Sequence, residues 1–300
     1  MTIRKIAFIG FGEVGQTLAS DLAERSRAAL AAFDVKFLES RAGPFVPAEK
    51  TPAISAPSPS ACVAGADLII SAVTAGSTLD AAHSAADAMK PAAWYFDVNS
   101  ASPQTKIEAA DAVEMAGGRY VEASIMSPIS PRRIEAPILL GGPHAQDFEA
   151  VAKALGFRNA AFYSQERGKA AAAKLCRSVV VKGIEALISE SMLAARHYGV
   201  ERDVIASLDD LLPHPDWREH ARYMISRTLQ HGARRAEEMQ EAARAIADAG
   251  VEPWMANATV MRQAFAGALD LDHHAGDLEV LVDAMRARIA SMSREAGVTP

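Results

Sequence analysis

The sequence predicts an α/β N-terminal Rossmann domain, with a doubly wound and mostly parallel sheet, followed by an all-α C-terminal domain. Three observations carry that expectation. Short β-branched runs alternate with amphipathic stretches through residues 1–164, and a glycine-rich turn follows the first of these runs. After Glu166 the strand patterns vanish, and long Ala-, Leu- and Glu-rich stretches take over through residues 165–300. The domain boundary therefore falls near Ser164.

Taken in order, Ile6 to Ile9 reads as the first strand and Gln16 to Ala28 as an amphipathic helix. Leu30 to Phe33 is a second strand. Gly43 to Ser60 is rich in Pro, Ser and Ala without a period, which predicts a loop holding at most one weak strand. Asp67 to Val73 is a buried strand, Thr78 to Met89 a helix halted before Pro91, and Trp94 to Val98 the fifth strand. Pro103 opens the next helix, where a missing amide donor costs nothing, and Ser102 suits its N-cap. Tyr120 to Met126, Pro137 to Leu140 and Ala160 to Tyr163 are further strands, with a helix over Ala145 to Leu155. The helical block breaks at Gly199, at Pro213 to Pro215 and at Gly250 to Pro253.

Composition narrows the class of function. The 300 residues are 50% hydrophobic and 23% charged, with a net charge of −6. A globular, acidic chain of this kind repels phosphate backbones and anionic lipid, so nucleic acid and membrane are not expected partners. Cys62 and Cys176 form no metal or disulfide pattern and read as small buried residues in a reducing compartment. The start of the chain carries no secretory pattern and no apolar run has transmembrane length, so the expected location is the cytoplasm. His214, His220, His273 and His274 lack ligand spacing, and no metal is expected.

The sharpest local signal is Gly10-Phe11-Gly12-Glu13-Val14-Gly15, directly after the first strand and opening the first helix. In a dinucleotide-binding turn Gly10 permits the tight bend, Gly12 lets the backbone approach a pyrophosphate, and Gly15 lets helix pack on sheet. Asp34 closes the second strand, where a carboxylate grips the adenosine ribose and repels a 2′-phosphate. NAD is thereby favoured, with NADP possible because Lys36 and Arg41 lie nearby; the plainer alternative is that Asp34 caps the turn. Val73 and Thr74, ending the fourth strand, and Asn99 and Ser100, ending the fifth, lie where ligands of such sheets bind.

Four segments in this order resemble the β-hydroxyacid dehydrogenase family, which includes 3-hydroxyisobutyrate and 6-phosphogluconate dehydrogenases. They are the glycine motif, Asp97 to Pro103, Val121 to Pro128, and Gly168 to Lys174. The resemblance spans the whole chain, as a divergent branch with an atypical C-terminal helical domain. It implies a Rossmann dinucleotide-binding domain at 1–164 and a helical substrate and dimerisation domain at 165–300. It also implies hydride transfer between nicotinamide and a small anionic hydroxy acid, with Lys174 as general acid/base and a homodimer as the assembly. Chemically the assignment is sound, because oxidising an alcohol needs a base for its proton and a desolvated lysine can act at neutral pH. Lys169 and Lys182 read instead as surface lysines.

The chain departs from the family pattern in two places. Ser178, after Arg177, stands where the family has an Asn one turn beyond the lysine, and Met126, Ser127 and Pro128 replace its Ser-Gly-Gly. Ser124, Met126, Ser127, Arg177 and Ser178 are the resulting candidates for substrate contact, with Arg132 and Arg133 able to clamp a carboxylate or phosphate. Ile184 to Tyr198 reads as a long helix. His231 and Arg234 either reach the active site or belong to a charged face with helix-spaced ion pairs. Two other functions fit the same scaffold: an imine reductase, which typically lacks the lysine, and a non-catalytic dinucleotide-binding regulator.

Overall fold

A computed structural model describes residues 2–39, 53–211, 216–274 and 276–295. The expectations for Arg41, for most of the Pro-rich stretch and for the break at Pro213 to Pro215, with His214, lie outside the described residues. By packing, the chain forms two compact units, Met1–Leu175 and Cys176–Pro300. No helix among the described residues is long and apolar enough to cross a membrane.

The first unit alternates strand and helix: β1 (Lys5–Ile9), α1 (Glu13–Arg25), β2 (Ala29–Phe33), α2 (Lys36–Glu39), β3 (Ile54–Ser55), α3 (Pro59–Val63), β4 (Leu68–Ser71), α4 (Thr78–Ala86) and β5 (Trp94–Asp97). It continues through α5 (Pro103–Met115), β6 (Arg119–Ile125), β7 (Ile138–Gly141), α6 (Ala145–Ala154) and β8 (Ala160–Ser164). One eight-stranded sheet results, ordered β3-β2-β1-β4-β5-β6-β7-β8 and parallel except where β7 runs against β6. The order reverses between β1 and β4, which opens a crevice at the carboxyl ends of those strands. Register brings the ends level. Ile9 faces Phe33 on one side and Ser71 on the other, and Ser71 faces Asp97. The next residues of each strand, Gly10, Asp34, Ala72 and Val98, therefore form a row along one edge.

The central strands β1, β4, β5 and β6 are buried on both faces, as their apolar runs predict, whereas the edge strands β3 and β8 carry exposed residues. Ile6 and Phe8 point into one core with Leu18, Leu22, Phe96 and Phe148, while Ala7 and Ile9 point into the other with Val63, Ala82 and Tyr95. Burying side chains of this size stabilises the fold by roughly 1.5–3 kcal/mol each. Helix α5 begins as expected, with Pro103 in its first turn and the Ser102 hydroxyl accepting from the Thr105 amide at 3.2 Å. Helix α1 starts earlier than the hydrophobic period indicates, because Gly12 already serves as its N-cap. Strand β4 is shorter than Asp67 to Val73. The Asp67 carboxylate leaves the strand to accept from the Arg4 amide at 2.8 Å and to pair with Lys90 at 2.5 Å.

The helices that follow are α7 (Lys169–Tyr198), α8 (Glu201–Leu211), α9 (Trp217–Asp248), α10 (Trp254–Gly267) and α11 (Leu278–Glu295). Helix α7 is one continuous element of 30 residues, taking in both the Ala-rich stretch around Lys174 and the helix expected over Ile184 to Tyr198. The breaks at Gly199 and Gly250 fall where expected, each glycine taking a positive φ of 70° or 76° that ends a helix cheaply. Gly232 and Gly267 let α9 and α10 touch backbone to backbone: a Cβ on Gly232 would lie 2.4 Å from the Gln263 carbonyl. Two expectations fail here. Cys62 is buried, but Cys176, in α7, is exposed to solvent. Lys182, read as a surface lysine, is buried, because a glutamate on α9 meets it there.

Candidate active site

The glycine turn has the three properties its sequence requires. Gly10 sits at φ +87°, and a Cβ there would lie 2.4 Å from the Ala72 carbonyl oxygen. Gly15 passes against the turn itself, its absent Cβ 2.5 Å from the Gly10 carbonyl. Gly12, between them, has nothing within 4 Å of a Cβ position. Of the three glycines, Gly12 is thus the one where the backbone is open to approach. Gly12 caps α1 with no side-chain bond, which leaves the positive end of the helix open to an anion. These residues fit a dinucleotide. Glu13 is exposed in the first turn of α1 and Val14 is half-buried against the core. The ring of Phe11 is buried edge-on to Phe8 and Phe37, so only its backbone faces the turn.

Asp34 holds that turn from across the crevice. Its carboxylate accepts from the Phe11 amide at 2.7 Å and from the Lys36 amide at 3.0 Å. The turn-capping role is therefore real, and the same carboxylate fixes the glycine loop. Further along the edge, Asn99 is buried and spends its side chain on neighbours: Oδ1 accepts from the Val73 amide at 2.7 Å and Nδ2 donates to Ser71 Oγ at 2.9 Å. It ties β4 to β5. Thr74 Oγ1 lies 3.2 Å from Ser77 Oγ at the start of the next turn. Beside Asn99, Ser100 Oγ accepts from Lys174 Nζ at 2.6 Å. This contact brings the candidate base to the strand-end row. Lys169, by contrast, is exposed beside Glu166.

Behind Ser100 lies a buried charge cluster that sequence reasoning left out of the site. Asp97, the last residue of β5, and Lys106 of α5 are fully buried and paired at 2.7 Å. Lys106 Nζ also donates to the Asp97 carbonyl at 3.1 Å, and the Tyr120 hydroxyl donates to Asp97 Oδ2 at 2.7 Å. Two strand positions beyond Tyr120, the buried Glu122 carboxylate accepts from the amides of Gly168, at 2.6 Å, and Ala171. Burial pushes the Glu122 carboxyl above its ordinary range, against the pull of the Lys106 ammonium and the two amides. Burial and the Asp97 charge likewise push the Tyr120 hydroxyl well up. One signal was available: Lys106 falls among buried alanines of α5, a position where a lysine needs a partner.

The substrate candidates are placed less uniformly. Ser124 follows Glu122 on the same face of β6 and is 1% exposed, and its hydroxyl has no partner among the described residues. A buried hydroxyl of this kind costs free energy unless something bonds it. Met126 and Ser127 are half-buried; Ser127 Oγ donates to the Pro128 carbonyl at 3.0 Å. Arg133 is not a substrate clamp, because its guanidinium is taken by Asp21 of α1 at 2.7 Å. Arg132 is exposed.

Arg177 and Ser178 belong to the second unit, the former exposed and the latter buried, with Lys182 Nζ 3.5 Å from Ser178 Oγ. Lys182 pairs with Glu238 at 2.5 Å, and Arg235 pairs with Glu185. Burial pulls the Lys182 ammonium below its ordinary value, with Glu238 opposing. Arg234 bonds Glu238 at 2.9 Å one turn along α9, so it takes the helix-paired role. His231 is half-buried, and burial together with the Arg227 and Arg234 charges pushes its imidazole down to about 4. No group of three or more His, Cys, Asp or Glu among the described residues is disposed to hold a metal.

Comparison with known proteins agrees with this fold. Residues 5–161 match the family model described as the NAD binding domain of 6-phosphogluconate dehydrogenase. Residues 195–265 match a domain of unknown function, DUF1932. A conserved hypothetical protein from Sinorhizobium meliloti 1021 is 34% identical, with a TM-score of 0.72 over 96% of this chain and 97% of its own. A second conserved protein, noted for structural similarity with 3-hydroxyacid dehydrogenases, is 30% identical, with a TM-score of 0.65 over 95% and 98%. The 3-hydroxyisobutyrate dehydrogenase of Mycobacterium tuberculosis shares the fold at 17% identity, with a TM-score of 0.68 over 95% of this chain and 100% of that one. No curated protein matches the chain.

Proposed function

The chain belongs to the family defined by the NAD binding domain of 6-phosphogluconate dehydrogenase, and from that premise we propose that it moves a hydride between nicotinamide and a small anionic hydroxy acid. The observation that carries the proposal is the 2.6 Å bond from Lys174 Nζ to Ser100 Oγ at the end of β5. It puts an ionisable amine at the edge where the glycine turn opens.

Of the motif Gly10, Phe11, Gly12, Glu13, Val14 and Gly15, the amides from Gly12 to Gly15 at the α1 terminus would hold the pyrophosphate, those of Gly10 and Phe11 being spent on the Phe33 carbonyl and on Asp34, and Asp34 would hold the adenosine ribose. A carboxylate at that place favours NAD over NADP. Val73, Thr74, Asn99 and Ser100 would flank the nicotinamide end. When bound, the cofactor supplies the hydride acceptor or donor. Lys174 takes the hydroxyl proton in oxidation and returns it in reduction, and Ser100 holds the ammonium in place between turnovers. Ser124 offers the substrate a hydroxyl that has no partner among the described residues, with Met126 and Ser127 as further contacts. Lys182 is excluded as the base on local grounds, since Glu238 occupies it. Val180, Ile184 and Leu187 leave an exposed apolar stripe on α7, which supports a homodimer that a solution mass measurement would test.

The functional test is a nicotinamide absorbance screen over 3-hydroxy acids, sugar acids and cyclic imines, repeated with Lys174→Ala. Turnover of a hydroxy acid that the substitution abolishes, with NADH still bound, is the expected result. Full turnover by Lys174→Ala sinks the assignment, and NADH binding without turnover of any compound favours a regulator.

A further inference from the structure

We propose that Glu122 is the positioning residue for Lys174, a carboxylate from β6 that sets where α7 begins and so where the lysine stands. The inference rests on the catalytic reading of Lys174 given above, and every residue in it lies in the first unit.

A helix start leaves amide donors unpaired, and a side chain next to it in sequence usually satisfies them. Helix α7 has none to offer, because the residue before Lys169 is Gly168. Glu122 does the work from a distance of 46 residues along the chain, accepting from the amides of Gly168 and, inside the first turn, Ala171. Lys174 follows Ala171 by three positions, so a shift of this first turn carries the lysine with it.

Other contacts make the anchor specific. Gly168 adopts φ +83°, and a Cβ there would lie 2.9 Å from Pro103, which follows the Ser100 segment. Arg167, just before, pairs with Asp111 at 2.9 Å and with Glu114, both on α5. Across the sheet, Gly141 leaves the room that Glu122 occupies: a Cβ on Gly141 would lie 2.8 Å from Glu122 Oε2. Helix start, strand and loop are thus built around one carboxylate.

The chemistry also requires a carboxylate and not merely a polar group. Both partners are N–H donors, one on each oxygen. A glutamine offers a single acceptor and sets its own NH2 against the second amide. The anion is further suited to the positive end of α7. A carboxylate that acts only as a cap would not be expected to influence proton transfer; one that locates Lys174 should do so.

Two variants and two readouts test this. Glu122→Gln removes the second acceptor, and Gly141→Ala displaces the carboxylate while leaving its charge, which keeps the question open to test if the first variant fails to fold. NADH affinity is measured by fluorescence, kcat on whichever hydroxy acid turns over, and the environment of Lys174 by NMR after 13C reductive methylation, its resonance assigned with Lys174→Arg. In both variants NADH affinity should stay at the wild-type value, kcat should fall by about 100-fold with KM little changed, and the Lys174 resonance should move. A folded variant in which resonance and kcat both stay at wild-type values overturns the proposal. Should Lys174→Ala itself retain turnover, the catalytic reading falls separately, and a static Lys174 resonance in Glu122→Gln still overturns the positioning role.

Discussion

Two lysines of one helix, eight residues apart, are treated oppositely by their surroundings. Lys174 is half-buried and bonds a serine hydroxyl at the end of a strand. Lys182 is buried, paired with Glu238, and lies beside a second ion pair between Arg235 and Glu185. The charged groups behind the strand ends are fixed largely by backbone, through the Asp97 carbonyl and the amides at the start of α7. The charged groups of the helical unit are fixed by one another. Backbone partners do not change rotamer, so the first arrangement fixes the groups around Ser100 at a defined place, whereas the second glues helices together.

The largest expected effect separates the two lysines by function. Lys174→Ala should lower turnover by about 10²–10⁴-fold with cofactor affinity kept, the range lost with a general base. Lys182→Met should retain turnover per folded molecule, and a reversal of the two results in steady-state kinetics would break the comparison. Next comes stability. Lys106→Met leaves the fully buried Asp97 carboxylate without its countercharge, held by the Tyr120 hydroxyl and the Asn99 amide, and should cost ~3–5 kcal/mol in denaturant unfolding. Lys182→Met should cost less, about 1–3 kcal/mol, because Arg234 still bonds Glu238. Equal losses would mean that backbone anchoring adds nothing.

The smallest effect concerns pH and the helical unit alone. His231 is held at about 4 against an ordinary 6.5, by burial first and then by the Arg227 and Arg234 charges. The folded state thus prefers the neutral imidazole. Its contribution to stability is complete above pH 6.5 and is lost as pH falls from there toward about 4. His231→Gln should remove part of the decline in thermal midpoint across that window; a variant that declines as steeply as the wild type would show that His231 is not the titrating group.

How much of this was legible in the residues differs by kind of signal. The glycine turn and the helix start at Pro103 were readable, because each depends on a local property of backbone or proline ring, whereas β4 and β5 end at Ser71 and Asp97, two residues before the expected Val73 and Asn99. Phe11 shows the limit. A motif position faces the turn with its amide, yet its ring belongs to the core, and the pattern alone does not separate the two. Arg133 looked like an anion clamp until Asp21, 112 residues earlier, was found to take it. Lys182 looked like a surface lysine for the same reason, its partner lying on another helix.

By itself the sequence determined the alternation of strand and helix, the site of closest backbone approach at Gly12, and the switch to an all-helical second unit, since periodicity and glycine stereochemistry act over a few residues. Tertiary structure alone decided that Glu122 caps α7, that Lys106 is buried with Asp97, and that Lys174 meets Ser100. Those outcomes depend on strand register and helix placement, which bring together groups 9 to 74 residues apart, and no short-range pattern encodes which charge will find which partner.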